Sequence, residues 1–246
     1  MADGNATLAS GAYIFKPKMD DQVSHPYSRL FYEDAAYVSG ATGDKAVAAS
    51  FVFNFEKTSN IEETFDDGTE SYQVQVRLVD DSLDLPEFEV HMLGIPIASG
   101  QGKEVVAKWR LINSDLSPTS LSSDETFYTD SNGLEMQKRI LNYRPTWTLS
   151  TDMKVAANYY PINSAISIRS TLNGTTDSTS VQMTVMNDRA QGGASIENGS
   201  IELMQNRRLL YDDDRGLERP LNETDPKTGM GIEVNALYKV QLMDAS

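Results

Sequence analysis

The densest run of chemically useful side chains is Tyr211-Asp212-Asp213-Asp214-Arg215-Gly216, just after Arg207-Arg208. Three carboxylates directly before a guanidinium can orient it through fixed bidentate pairs. A held arginine serves wherever an anion or a developing charge must be met, so Arg215 is a candidate site residue. Further acidic pairs stand at Asp66-Asp67 and Asp80-Asp81. Two carboxylates cleave a glycosidic bond when they lie about 5–5.5 Å or 6.5–9.5 Å apart across the sugar. The linear order sets no such separation here, and a solvated turn is the ordinary state of an acidic run.

Rings with polar neighbours are the second signal. Phe127-Tyr128-Thr129-Asp130-Ser131-Asn132-Gly133 and Asn158-Tyr159-Tyr160-Pro161 combine aromatic faces with amides and hydroxyls. Such sets line sugar sites, or they are core tyrosines with bonded hydroxyls. The two histidines, His25 and His91, are far apart and share no acidic ligand spacing, which argues against a metal site built from this chain. His91 reads as a satisfied surface residue. No cysteine is present, so disulfides, zinc–thiolate sites and thiol nucleophiles are excluded. No G-x-S-x-G elbow occurs. Gly100-Gln101-Gly102-Lys103 lacks the strand–loop–helix setting of a phosphate loop and is expected to be a hairpin turn.

The elements that position these residues are strands. Of 246 residues, 39% are hydrophobic and 23% charged, which is globular composition. The formal net charge of −15 argues against nucleic acid or anionic lipid as partner. Period-two alternation runs through Phe51–Phe55, Val74–Leu78, Phe88–Met92, Ile166–Ile168, Val181–Val185, Ile201–Leu203 and Ile232–Leu242. It puts one face of each strand on a core and one in water. Asp67-Gly68, Asn132-Gly133, Gly192-Gly193 and Asn198-Gly199 read as punctuation between strands. No segment sustains a 3.6-residue pattern for four turns. The chain is therefore expected to be all-β, with ten to fourteen strands in two packed antiparallel sheets and little helix. Residues 114–124 and 222–231 read as long loops, the first a possible joint. Met1-Ala2-Asp3-Gly4-Asn5 has neither the basic nor the apolar region of a signal peptide. Four N-x-[ST] triplets, at Asn5, Asn173, Asn198 and Asn222, are glycosylation candidates and hint at a secretory route.

Several blocks resemble one enzyme family. They are Ser10-Gly11-Ala12-Tyr13-Ile14-Phe15-Lys16-Pro17, Gly102-Lys103-Glu104-Val105, Phe127 to Gly133, Met136-Gln137-Lys138-Arg139, Asn142-Tyr143-Arg144-Pro145-Thr146-Trp147 and Asn158-Tyr159-Tyr160-Pro161. They continue with Asp188-Arg189, Gln191-Gly192-Gly193, Glu202-Leu203-Met204, Arg207-Arg208-Leu209 and Asp212 to Gly216. In order and spacing they are similar to the glycoside hydrolase family 38 α-mannosidases, and the Asn-Tyr-Arg-Pro-Thr-Trp block is similar to the lysosomal and vacuolar type. Residues 31–84 match poorly.

The resemblance implies that residues 1–246 are one β-supersandwich region, galactose-mutarotase-like, of a larger enzyme. The α/β catalytic domain, with nucleophile, acid/base and zinc ligands, would be other sequence. The complete enzyme would be a retaining, zinc-dependent glycosidase releasing terminal α-linked mannose, and this chain would be inactive alone. Its zinc would be bound outside this chain, and its location would be lysosomal, vacuolar or secreted. The partners implied are the catalytic domain and a mannose-containing glycan, with no nucleic acid and no membrane. Two family positions map onto this sequence: Tyr13, which would hydrogen-bond substrate, and Arg215, which would reach the pocket. A freestanding carbohydrate-binding or scaffold β-sandwich is the alternative.

Overall fold

The computed structural model describes Tyr13, Phe15, Leu85 and residues 37–39, 46–54, 72–79, 87–97, 102–110, 122–149, 155–171 and 180–244. Among these, thirteen strands follow one another: β1 Tyr37–Ser39, β2 Ala46–Asn54, β3 Tyr72–Val79, β4 Glu87–Met92, β5 Lys103–Arg110, β6 Thr126–Ser131 and β7 Glu135–Ile140. The rest are β8 Tyr160–Ile162, β9 Ala165–Thr171, β10 Ser180–Asn187, β11 Gln191–Ala194, β12 Ser200–Arg208 and β13 Val234–Asp244. One 3-10 turn, Ala156–Asn158, precedes β8. All ladders are antiparallel. They form a nine-stranded sheet ordered β1-β2-β3-β4-β13-β10-β9-β6-β7 and a four-stranded sheet ordered β5-β12-β11-β8. The all-β expectation holds.

The core lies between the sheets, where the alternation puts it. Val90, Phe127, Ile166, Ile168, Met183, Val185, Ala236, Tyr238 and Val240 come from the large sheet and meet Tyr160, Ile162, Ile201 and Leu203 from the small one. Full burial of such side chains contributes about 1.5–3 kcal/mol each. Tyr238 is wholly buried, yet its hydroxyl is satisfied by Gln191 at 2.8 Å and by Gln205, while its ring meets Trp109 edge-on at 4.8 Å. Phe127 packs edge-on against Tyr160 at 5.7 Å. Asn132 and Gly133 adopt φ of +51° and +71°, the left-handed pair that a tight β6–β7 turn demands. Asp130 finishes that corner by accepting from the backbone N–H groups of Gly133, Asn163, Ser164 and Ala165.

Two turn readings are corrected. Gly192-Gly193 lies inside β11, not between strands. A Cβ on Gly193 would sit 2.6 Å from Ile162 Cγ1 and 2.7 Å from Leu203 Cδ2, so glycine there permits close packing. The connection through Gly102 is not a hairpin either: β4 belongs to the large sheet and β5 to the small, so the chain crosses between layers. Of the joint expected near 114–124, Ser122 to Asp124 are described. They are tied to Asn198, whose Oδ1 accepts from Ser123 N–H (2.8 Å) and Ser123 Oγ–H (2.9 Å) and whose Nδ2 donates to Ser122 Oγ (2.8 Å). The 222–231 loop is an ordered turn that closes through a Thr224–Gly231 bridge.

Candidate functional site

The run singled out in the sequence leaves the small sheet where β12 ends. Leu209 is buried and its N–H donates to Leu221 O at 2.8 Å, fixing where the loop departs. Asp212 Oδ2 accepts from Asp214 N–H at 2.9 Å, and Asp213 Oδ1 from Arg215 N–H at 3.2 Å. Asp214 and Gly216 take φ of +54° and +109°. Short aspartates bonding their own backbone two residues on are a turn-forming device. The sequence expectation that these carboxylates grip the Arg215 guanidinium is therefore corrected: Asp212 and Asp213 hold backbone N–H groups. Arg215 itself is exposed, and no hydrogen bond or ion pair holds its guanidinium among the described residues.

Tyr13 arrives at the same place. Its N–H donates to Asp213 Oδ2 at 2.7 Å across 200 positions of sequence, and its side chain is 66% exposed. One buried carboxylate thus joins the two residues singled out as site candidates, and exposed Tyr211 stands in the same loop.

The approach of Tyr13 is set two residues later. Phe15 meets Tyr159 edge-on at 4.6 Å, and the Arg207 guanidinium lies 5.4 Å from the Phe15 ring. Both contacts are on the face of the small sheet away from the core. Ile201 and Leu203 point inward, so Glu202 points outward. The ladder between β12 and β5 then slips between Met204 and Asn206. This bulge re-phases the strand and turns Arg207 outward, whereas strict alternation from Leu203 would point it to the core. There Arg207 donates twice to Glu104 Oε1, at 2.9 and 2.6 Å.

Glu202 is 8% exposed and accepts from the Tyr159 hydroxyl at 2.5 Å. Burial pushes its pKa up, the Tyr159 bond and the Lys108 charge pull it down, and Glu197 adds to the rise. Burial, with Glu202 and Glu104 nearby, pushes the Tyr159 hydroxyl far above its ordinary range. The Tyr159 hydroxyl is spent on this internal bond and Tyr160 is core, so Asn158-Tyr159-Tyr160-Pro161 takes the structural alternative. Asn158 does too, bonding Asn142 N–H (2.8 Å) and Asn142 Oδ1 (3.0 Å).

The remaining sequence candidates are scattered. His91 pairs with Glu233 at 3.2 Å on the surface. Asn198 is exposed with its amide engaged as above, and Asn222 is exposed with Oδ1 accepting from Arg208 Nε at 2.8 Å. Asn5, Asn173, His25, Asp66-Asp67 and Asp80-Asp81 lie outside the described residues. Among the described residues no group of three or more His, Asp or Glu side chains could hold a metal ion. Sequence reasoning missed Glu202, Phe15 and the Glu104–Arg207 pair. They lie within four of the family-like blocks, Ser10 to Pro17, Gly102 to Val105, Glu202 to Met204 and Arg207 to Leu209, with no local signal of their own.

The family model described as the Glycosyl hydrolases family 38 C-terminal domain matches residues 4–215, a span that takes in both Tyr13 and Arg215. The chain belongs to this family. It is similar to the lysosomal alpha-mannosidase of Mus musculus, 37% identical over 246 residues, which is 100% of this chain and 20% of the relative. The Bos taurus lysosomal alpha-mannosidase is 38% identical over 237 residues, 96% of this chain and 19% of the relative. A probable alpha-mannosidase of Arabidopsis thaliana is 43% identical over 158 residues, 63% of this chain and 14% of the relative. The chain thus spans about a fifth of the length of the curated relatives it matches most fully. In this family 38 region, the two sequence-mapped positions converge on one loop at the end of the small sheet.

Proposed function

We propose that this chain is the post-catalytic β region of a retaining α-mannosidase that removes terminal α-linked mannose from glycans, and that Tyr13 and Arg215 are its contribution to the sugar pocket. The observation that carries the reading is the convergence of Tyr13 and Arg215 on Asp213, within a region matched by the family model. An exposed phenol and a guanidinium unpaired among the described residues suit one job. They can donate hydrogen bonds to sugar hydroxyls or to carboxylates presented by another domain. Such bonds contribute several kcal/mol in glycosidases when they strengthen in the transition state.

The catalytic carboxylates and the zinc site belong to sequence outside this chain. When bound, zinc would grip sugar hydroxyls. The residues described here do not form its site, and no step is assigned to them through it. The catalytic domain would pack over the exposed side chains of Tyr13, Tyr211 and Leu217. The relatives' names support a lysosomal location.

The test has two parts. Aryl α-mannoside hydrolysis by the purified chain with added zinc should give no turnover; clear turnover free of host enzyme would place a complete site here. In the complete enzyme, Arg215→Ala should lower kcat/KM by at least tenfold with an unchanged melting temperature. An unchanged kcat/KM removes Arg215 from the site, and a large fall in stability makes it a structural loop residue.

A further inference from the structure

We propose that Asp213 is the positioning residue that sets Tyr13 and Arg215 at a fixed separation. This rests on the reading of those two as the sugar-facing residues. Asp213 is only 5% exposed, although it carries a carboxylate. A charge so placed is costly unless its oxygens are bonded. Each oxygen takes one backbone donor: Oδ2 the N–H of Tyr13 at 2.7 Å, Oδ1 the N–H of Arg215 at 3.2 Å. The two nitrogens are therefore no further apart than about 8 Å, two hydrogen-bond lengths and the width of one carboxylate.

Three features make this a clamp on position. First, the carboxylate accepts and cannot donate, so each of its two oxygens can take a backbone N–H group. Second, both bonds are to backbone, so the side chains of Tyr13 and Arg215 stay free to face outward. Third, among the described residues the other ties of the segment bearing Tyr13 are those of Phe15, against Tyr159 and beneath Arg207. Without Asp213, Tyr13 and Arg215 would hang from separate parts of the chain. A misplacement of about 1 Å can cost on the order of 100-fold in rate.

The experiment uses the complete α-mannosidase that carries this region. It measures kcat, KM and melting temperature for wild type, D213N, Y13F, R215A and the doubles D213N/Y13F and D213N/R215A. Asparagine keeps the shape but turns an N–H₂ toward one of the two backbone donors. D213N should lower kcat/KM by tenfold or more, in the same parameter, kcat or KM, that Y13F and R215A affect. Each double should lose at least fivefold less than the product of its singles, because a misplaced side chain has less to lose. If Y13F and R215A are impaired while D213N is not, or if the doubles multiply, the clamp is refuted and the site reading stands. If Y13F and R215A are both unimpaired, the site reading fails, and the clamp with it. Should D213N not accumulate folded, Asp213→Glu keeps the charge and both acceptors but displaces them by one methylene. It should show the same loss, and an unchanged kcat/KM would overturn the proposal.

Discussion

Replacing Tyr159 by phenylalanine removes one donor from a carboxyl group that has little access to water. Glu202 is 8% exposed, and the Tyr159 hydroxyl donates to it at 2.5 Å. The ring, and with it the Phe15 contact, is kept. Burial, only partly opposed by Tyr159 and Lys108, sets the Glu202 pKa above its ordinary value of 4.5. A carboxyl whose pKa is higher folded than unfolded binds its proton more readily in the native state. Its contribution to stability is therefore full below the unfolded value and is lost as pH rises through the folded one. At pH 7 the ionised group depends on its donor, so Tyr159→Phe should cost about 2–3 kcal/mol. At about pH 4 the protonated acid carries its own donor, and the cost should fall to about 1 kcal/mol. In a chain of this size each kcal/mol moves the melting temperature by roughly 2–4 °C. Thermal unfolding of the purified chain, followed by circular dichroism at both pH values, should show a drop at least twice as large at pH 7. Equal drops at the two pH values, or none at pH 7, would refute the reasoning. Glu202→Gln should instead raise stability at pH 7 and flatten its pH dependence.

Gly193→Ala should destabilise the chain by about 1–3 kcal/mol, since its Cβ would press on Ile162 and Leu203 in the core. Gly192→Ala should cost less, because the nearest atom, Met204 Sδ at 2.8 Å, lies near the far end of a flexible side chain; melts of the two variants in the reverse order would contradict this packing. Asp130 responds to pH with the opposite sign to Glu202. Burial raises its pKa, but the backbone N–H groups of Ser164, Gly133, Ala165 and Asn163 bring it below the ordinary 3.8. Its contribution is present above 3.8 and lost as pH falls through the lower folded value. Asp130→Asn should therefore cost about 2 kcal/mol near neutrality and progressively less in acid, read from urea unfolding across pH.

What the sequence shows best is what a half-buried strand imposes. Ile166 and Ile168, Met183 and Val185, and Ala236, Tyr238 and Val240 alternate because one face of the large sheet meets a core. Asn132-Gly133 is legible as a turn because few other pairs take two left-handed conformations. Gly192-Gly193 is ambiguous for a physical reason: a missing side chain serves a tight turn and a close approach equally. Glu202 looks water-facing between Ile201 and Leu203, and the outward direction is right. Its bonded partner Tyr159 is distant in sequence, so no local pattern reports its burial. The bulge that turns Arg207 outward is likewise silent. In the candidate site, the mixture of acids and bases marks the correct loop but not the division of labour, because which donor a carboxylate takes depends on backbone conformation. Tyr13 carries no local signal and entered through family resemblance alone.

The strand order of the large sheet bears on how the protein is made. β13 lies between β4 and β10, so it joins the meander β1–β4 to the other strands of that sheet. Residues 93–233 separate it from β4 in the chain. A ribosome adding about 5–20 residues per second needs on the order of 10 s to cover that interval. Throughout it β4 presents an unpaired edge, and so does β10 once residue 187 is made; each is a template for pairing with another chain. During synthesis the large sheet is two open half-sheets awaiting one late strand. Chaperone shielding of those edges, more than the final stability, should govern the yield of native protein.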